Sequence, residues 1–434
     1  MSPKPNATST PRSPRGAAAT NSSLMATLKA WECRDSTYQA ASPALVFARA
    51  KGSRIWDVEG REYIDLCAGF GVTALGHNNP VQRAVLERSF GEESAIIHGM
   101  GDVYPSVDKI KLLEYIGTQL PPFLSRGTLA LSGGQAVEMA VKTAQIATRR
   151  SGFITFQDSY HGLDLGILPL TSRADFKEPF LQWMPSHLVQ ELPYGAAMAT
   201  IEAAIEAQHT EGFGTAGVIV EAVQGRAGIR MAPDGWLLRL SELCRAKGVL
   251  LIFDEVFTGL GRIGSFSSSF EVPCDLICLG KALGGGLPLS ACFGRAEVMD
   301  AWPQNQGEAL HTGTFFGHPL SCRLGLATLE TIQNDNLIER SQNFGARMIT
   351  DLKEQLGASP RLKDVRGKGL MIGIELDKKG LGAVLMDSLR PLGVIALASG
   401  TYCEGISLTP ALTLSEADWG EALPRITQAV LALS

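Results

Sequence analysis

Residues 248–286, GVLLIFDEVFTGLGRIGSFSSSFEVPCDLICLGKALGGG, decide the fold of this chain. Residues 249–253 form a short, wholly apolar run that ends at Asp254, which predicts a strand buried on both faces rather than a helix. A second apolar run, Leu276–Leu279, predicts another strand that ends just before Lys281. Ligands of open α/β sheets bind beyond the carboxyl ends of the strands, so one carboxylate and one amine are expected to face the same crevice.

The carboxylate of Asp254 requires a cationic partner there, because an unpaired buried charge is costly. An arginine is the simple partner. The other is the pyridinium nitrogen of pyridoxal phosphate, held by Asp254 while Lys281 forms an imine with the cofactor aldehyde. Carboxylates and lysines after strands are common, so this pair alone leaves both interpretations open.

Three longer motifs resemble the class III aminotransferases among the fold-type I pyridoxal phosphate enzymes. They are DEVFTGLGRIG (254–264), DLICLGKALGGGLPLSA (275–291) and TGTFFGHPLSC (312–322), and the similarity extends from about residue 47 to the C-terminal region. The resemblance implies an α/β fold like that of aspartate aminotransferase. Its large domain would hold a mostly parallel seven-stranded sheet flanked by helices, and a smaller α+β domain would combine N- and C-terminal segments.

The composition is that of a globular enzyme with a large core. Of 434 residues, 45% are hydrophobic and 19% are charged. A formal net charge of -5 indicates no surface for nucleic acid or anionic lipid, and no apolar run approaches membrane-spanning length. The eight cysteines are scattered without the spacing or histidines of a zinc site, so free thiols in the reducing cytoplasm and no metal are expected.

The chain is predicted to divide into four segments. Residues 1–24 are rich in Ser, Thr, Pro and Ala and contain no acid, which predicts a disordered tail. A mitochondrial transit peptide is the minor alternative, because its prolines disrupt an amphipathic helix. Residues 25–75 are assigned to the small domain, residues 76–320 to the large cofactor-binding domain and residues 321–434 to the C-terminal part of the small domain.

A glycine pair precedes a predicted helix at residues 136–149. Glycines at a helix start leave free amide donors at the positive end of the helix dipole, where phosphate binds, although a simple turn has the same pattern. The resemblance implies that the loop with Gly133 and Gly134 binds the cofactor phosphate. Gly134 replaces a family Ser or Thr, which removes one side-chain hydrogen bond.

The resemblance assigns four further cofactor contacts. Tyr160, before a His-Gly pair, would stack on the cofactor ring, and Val256 would pack on the opposite face. Glu221 would orient its neighbours without taking a chemical step. Thr314 would bind the cofactor phosphate of the other subunit, which implies a homodimer. A packed loop corner is the alternative interpretation of Tyr160.

These residues together imply a ping-pong aminotransferase that works through a Lys281 Schiff base. It would move an amino group from an amine or (omega-)amino acid to an oxo acid or aldehyde. Asp254 would keep the ring nitrogen protonated, and Lys281, its pKa lowered by burial, would carry the proton between substrate and cofactor carbons. The alternatives are an aminomutase or racemase with the same cofactor, and a noncatalytic binding protein, against which Lys281 argues.

Four departures from the family pattern bear on the substrate. Phe257 replaces a glutamine that bonds the cofactor's phenolic oxygen, and Leu163 replaces a carboxylate-binding arginine. Ser407 and Arg226 stand where many members have an arginine and its glutamate partner. Arg226 is interpreted either as a carboxylate-binding residue on the opposite wall or as a salt-bridged surface residue. These departures weaken the case for simple dicarboxylates and favour an amine, amino sugar or tailored aldehyde.

Overall fold

The structure is a computed structural model that describes residues 19–34, 36–37, 44–91, 98, 100–101, 103–304 and 307–433. Its α-helices are α1 (Asn21–Trp31), α2 (Ala68–Gly71), α3 (Pro80–Ser89), α4 (Val107–Gln119), α5 (Gly133–Thr148), α6 (Ala174–Lys177), α7 (Met198–Thr210), α8 (Trp236–Lys247), α9 (Ala296–Met299), α10 (Pro319–Asn334), α11 (Leu337–Leu356), α12 (Leu381–Leu389) and α13 (Glu416–Leu431). Its strands are β1 (Phe47–Lys51), β2 (Arg54–Asp57), β3 (Glu62–Asp65), β4 (Arg126–Ala130), β5 (Gly152–Phe156), β6 (Val189–Leu192), β7 (Thr215–Val220), β8 (Val223–Gln224), β9 (Arg230–Met231), β10 (Leu250–Asp254), β11 (Leu276–Leu279), β12 (Ser290–Gly294), β13 (Leu362–Lys368), β14 (Met371–Leu376), β15 (Val394–Ile395), β16 (Leu397–Ser399) and β17 (Gly405–Leu408).

A seven-stranded sheet forms the centre of the fold, in the order β4-β12-β11-β10-β7-β5-β6. Strand β12 is antiparallel to both of its neighbours, and the other adjacent pairs are parallel. This confirms the mostly parallel seven-stranded α/β sheet that the family resemblance implied. Helix α8 lies between β7 and β10 in the chain.

Strand β10 is buried on both faces, as its apolar run predicted. Leu251 and Phe253 belong to one hydrophobic cluster, whereas Ile252 packs in a second cluster with the apolar face of α5. Successive side chains of a strand point to opposite faces, so a strand that contributes to two cores needs an unbroken apolar run. Its neighbour β11 is apolar throughout for the same reason.

Of the two four-stranded sheets, one combines segments from both ends of the chain. Strand β15, close to the C-terminus, pairs in parallel with β3 and completes the sheet β1-β2-β3-β15. The other sheet has the order β13-β14-β17-β16. This arrangement agrees with the expected contribution of N- and C-terminal segments to a smaller α+β unit, while the proposed boundaries at residues 75 and 320 stay predictions.

The N-terminal segment differs in part from the expected disordered tail. Residues 1–18 lie outside the described residues. Helix α1 begins at Asn21, so residues 21–24 are helical, and the Thr20 and Ser23 side chains cap it with reciprocal hydrogen bonds. This capping box was missed because the Ser and Thr residues were interpreted by composition rather than by spacing. No helix in the described part of the chain is long and apolar enough to cross a membrane.

Candidate active site

The carboxyl edge of the central sheet gathers the predicted site residues around one cavity. Asp254 is the last residue of β10, Glu221 follows β7, and Lys281 lies two residues beyond β11. The cavity has a volume of about 680 Å³. Eight of the nine predicted site residues line it, namely Gly133, Gly134, Tyr160, Glu221, Arg226, Asp254, Val256 and Lys281. Thr314 is exposed elsewhere on the surface of the chain.

The Asp254 carboxylate is buried and bonded to a histidine rather than to an arginine. Its Oδ2 lies 2.7 Å from Nδ1 of the buried His161, and its Oδ1 accepts a hydrogen bond from the Val256 amide at 3.1 Å. The backbone amide of His161 donates to Thr171 Oγ1 at 3.0 Å, which holds the ring in place. The arginine alternative is therefore wrong. His161 was missed as a site residue, although the Tyr-His-Gly loop that carries it was identified.

Lys281 lies in the cavity with a strained backbone and a perturbed amine. Its φ of 44° is in the left-handed region, which costs a non-glycine residue about 1 kcal/mol or more. The amine is 4.0 Å from the centre of the Phe257 ring. The pKa of Lys281 is lowered to about 8, mainly by burial. The positive charges of Arg226 and Arg262 lower this pKa further, whereas the negative charges of Asp254 and Glu221 raise it. A substantial fraction of the amine is thus neutral near pH 8.

Glu221 connects the two loops that border the cavity. Its Oε1 accepts a hydrogen bond from the Tyr160 amide and its Oε2 accepts one from the Gly225 amide, each at 3.0 Å. Burial raises the pKa of the Glu221 carboxyl above its usual value. These contacts suit an orienting group with no chemical step, which is the role that the sequence assigned to it.

The start of helix α5 has the features of a phosphate site. Ser132 caps the helix by accepting from the Gln135 amide at 3.2 Å, and among the described residues the amides of Gly133 and Gly134 meet no acceptor. A Cβ on Gly133 would lie 2.6 Å from Val256 Cγ1, so only glycine allows this close approach. Free amides at a helix N-terminus bind an anion, and the cavity therefore fits the cofactor phosphate.

The rest of the cavity fits the remainder of pyridoxal phosphate. Tyr160 supplies a flat aromatic side chain and Val256 an aliphatic one, while Asp254 and Lys281 provide the carboxylate and amine that the cofactor ring requires. Phe257 offers no hydrogen bond to a phenolic oxygen. A Cβ on Gly225 would lie only 2.5 Å from Phe257 Cδ1, so this ring packs tightly beneath the loop that carries Arg226.

Arg226 lies over the ring of Tyr160, with its Cζ 4.7 Å from the ring centre. Arg226 is exposed and its side chain forms no ion pair with another described residue, so both interpretations of its role stay predictions. The other departures divide between the cavity and the interior. Leu163 lines the cavity and is exposed, whereas Ser407 is buried in β17 and does not line it.

One cavity residue, Phe70, was not identified individually. It occupies a left-handed turn, α2, in which residues 68–71 all have positive φ. The carboxylate of Asp65 holds this turn by accepting hydrogen bonds from the amides of Cys67 and Ala68 at 2.8 and 3.0 Å. The Gly-rich segment was expected to line a pocket, but its sequence gave no indication that the phenylalanine would be half-exposed at the cavity.

Comparisons with known proteins identify the family of this chain. The aminotransferase class III family matches residues 37–430. The acetylornithine aminotransferase of Methanopyrus kandleri is 36% identical over 88% of this chain and 93% of its own length. The 5-aminovalerate aminotransferase of Pseudomonas aeruginosa is 35% identical over 87% of this chain and 92% of its own.

A solved structure extends the similarity to three dimensions. The ornithine aminotransferase of Toxoplasma gondii, whose active site holds pyridoxal phosphate at partial occupancy, has a TM-score of 0.85 and 26% identity. The match covers 96% of this chain and 95% of that one. The fold, the family match and the relatives agree, and the chain therefore belongs to the class III aminotransferases and is an aminotransferase that uses pyridoxal phosphate.

Proposed function

We propose that this aminotransferase takes its amino group from a donor whose amine is separated from a carboxylate by a short chain. The observation that carries the proposal is the guanidinium of Arg226, which lies over Tyr160 at the cavity without an ion-pair partner among the described residues. Arginine binds carboxylates through two parallel hydrogen bonds. The acetylornithine and 5-aminovalerate aminotransferases that resemble this chain are both named for donors of this class. The acceptor would be an oxo acid or aldehyde.

The side chains of the cavity divide the remaining work. When bound, pyridoxal phosphate supplies an electron-withdrawing ring and an aldehyde carbon that links to amines. Asp254, oriented by His161, holds a proton on the ring nitrogen. The amides of Gly133 and Gly134 hold the phosphate, Tyr160 and Val256 hold the two ring faces, and Glu221 orients Tyr160. Lys281 accepts the proton that leaves the amine-bearing carbon of the donor, a role supported by its pKa of about 8.

A homodimer would complete the site. Thr314 is exposed and does not line the cavity of its own chain, so we assign it to the phosphate site of a second copy. Its neighbour Phe315 is exposed, and exposed apolar residues also occur at the start of helix α4 and just before it, namely Met100, Val103, Tyr104, Val107 and Ile110. Apolar exposure on this scale is typical of an interface.

Sedimentation at micromolar concentration is expected to report a dimer, and a monomer at the highest concentrations would refute the assignment.

We also assign the protein to the cytoplasm. All eight cysteines are free thiols in the structure. Six of them are buried, which suits a reducing compartment in which disulfides do not form.

The donor proposal is tested with matched amines. Wild-type holoenzyme is expected to prefer 5-aminopentanoate over pentylamine, which differs only by the carboxylate. In Arg226→Gln the ratio of kcat/KM for 5-aminopentanoate over pentylamine should fall about 10- to 100-fold. The variant loses a charge-assisted hydrogen bond to the carboxylate of 5-aminopentanoate, and pentylamine has no carboxylate to lose it from. The first half-reaction, followed by cofactor absorbance, gives each value.

The change in absorbance also separates reaction types, since an aminotransferase retains the amino group after the donor is consumed and a racemase does not. An unchanged ratio of the two donors in Arg226→Gln would refute the assignment of Arg226 as the carboxylate-binding residue. The matched control is Arg230→Gln, four residues away, whose guanidinium bonds Asp158 at 2.6 Å rather than facing the cavity.

A further inference from the structure

The segment that carries Arg226 is held at nearly every residue. We call residues 224–230 the arginine loop. At its start the Gln224 side chain donates to the Gln157 carbonyl at 2.8 Å, and the Gly225 amide donates to Glu221. The carbonyl of Arg226 accepts from the Gly400 amide at 3.1 Å. The backbone of the loop is thus fixed, while the Arg226 guanidinium stays available at the cavity.

The second half of the arginine loop is held by one side chain from another part of the chain. Arg366 of β13 donates from Nη2 to the Gly228 carbonyl at 2.7 Å and from Nε to the Ile229 carbonyl at 3.0 Å. Its Nη1 bonds Glu375 of the adjacent β14, which orients the guanidinium. Two parallel donors from one planar group fix a pair of carbonyls in a way that a lysine cannot.

Close backbone packing shows that the arginine loop is seated on the β13–β14 hairpin. A Cβ on Gly373 of β14 would lie 2.7 Å from the Gly228 carbonyl oxygen. Gly228 has a φ of 86°, a backbone conformation that glycine adopts without strain. A Cβ on Gly228 would lie 3.2 Å from Nη2 of Arg366. The arginine loop therefore packs closely on the β13–β14 hairpin, and the Arg366 side chain holds it in that position through hydrogen bonds.

We propose that Arg366 is a positioning residue for donor recognition, which fixes the arginine loop so that Arg226 meets the carboxylate of the donor. The inference rests on the proposed function, because it matters only if Arg226 binds that carboxylate. Arg366 itself does not line the cavity. It acts through two carbonyls, and the C-terminal hairpin thereby contributes to specificity in the cavity of the central sheet.

The test compares Arg366→Met with Arg366→Lys in the holoenzyme. The methionine variant is expected to lower the ratio of kcat/KM for 5-aminopentanoate over pentylamine about 10-fold, through KM for the acid, and to leave the value for pentylamine within about twofold. The lysine variant keeps one donor and should fall between wild type and methionine. Calorimetric binding of pentanoate, which lacks a reacting amine, should weaken by a similar factor, while binding of neutral pentanamide should not.

A matched control comes from the same ion-pair cluster. Lys363→Met removes another partner of Glu375, but Lys363 makes no contact with the arginine loop, so the donor ratio should not change. If Arg226→Gln lowers the ratio and neither Arg366 variant does, Arg366 is a structural residue only and the inference fails. If Arg226→Gln leaves the ratio unchanged, the proposed function itself fails, and the inference fails with it. An Arg366→Met variant that loses kcat/KM equally for 5-aminopentanoate and pentylamine would also overturn the inference.

Discussion

Lys281→Ala is expected to lower the rate of the first half-reaction by at least about 10³-fold with every donor, because Lys281 is the side chain proposed to accept the proton from the donor carbon. Proton transfer and covalent attachment of the cofactor are lost together. Cofactor should still bind, since the free amides of Gly133 and Gly134 remain at the start of α5. Equilibrium dialysis measures that binding, and rapid mixing with 5-aminopentanoate measures the rate. Undiminished transamination by this variant would refute the assignment of Lys281.

The stability of a second variant, Lys281→Met, checks that loss of activity is not loss of the fold. In the apoprotein the pKa of Lys281 is about 8, against 10.5 for an ordinary lysine. Below pH 8 the amine is charged in both folded and unfolded states, and its partly buried charge lowers the free energy of unfolding by about 2 kcal/mol after allowance for solvent screening. Between pH 8 and 10.5 only the unfolded state keeps this proton, so wild type gains stability as pH rises.

Urea unfolding should therefore show Lys281→Met as the more stable apoprotein at pH 7, with a difference that shrinks toward pH 10.5. Taking the difference between variant and wild type cancels the titration of all other groups. A difference that stays constant over this range would mean that the folded-state amine titrates normally.

Asp254→Asn is expected to lower kcat about 10²- to 10³-fold, because the neutral amide cannot hold a proton on the ring nitrogen. Asparagine keeps the shape of the side chain and can still accept from His161 Nδ1, so the loss isolates the charge. The measurement is kcat for the full reaction, together with the absorbance of the bound cofactor as a function of pH.

The matched control is the adjacent carboxylate. Glu255 is also buried, and burial raises its pKa to about 7, but its Oε1 accepts from the Ser268 amide at 2.7 Å and it does not line the cavity. Glu255→Gln should leave kcat within about threefold. Equal losses in the two variants would show that any buried carboxylate at the end of β10 matters for folding rather than for chemistry.

Much of the central sheet could be predicted because its strands are buried on both faces. The apolar runs 249–253 and 276–279 lie in β10 and β11, and the positions where they end predicted that Asp254 and Lys281 would share one edge of the sheet. The helix predicted at residues 136–149 is present as α5, because its apolar residues recur at helical spacing. By contrast, the capping box that starts α1 lay within a segment judged by composition.

The active site itself was predicted less completely. Gly133 and Val256, which the resemblance assigned to the site from contiguous motifs, both line the cavity. His161 was not assigned as the partner of Asp254, since the two are far apart in sequence and nothing local links them. The surroundings of Arg226 were equally hidden, because its contact with Tyr160 joins two segments that are distant in sequence.

By itself the sequence determined the order of strands and helices along the chain, the residues that end the core strands and the chemical groups available there, because apolar periodicity and strand ends are local properties. Only the tertiary structure decided which of those groups meet. His161 bonds Asp254, and Arg366 bonds the arginine loop, across as many as about 140 residues of sequence. The pKa of Lys281 is likewise lowered by burial and by charges from other segments. These effects depend on distance in space rather than on distance in sequence. For example, Arg366 can bond the arginine loop only because β13 and β14 pack against that loop in the folded chain.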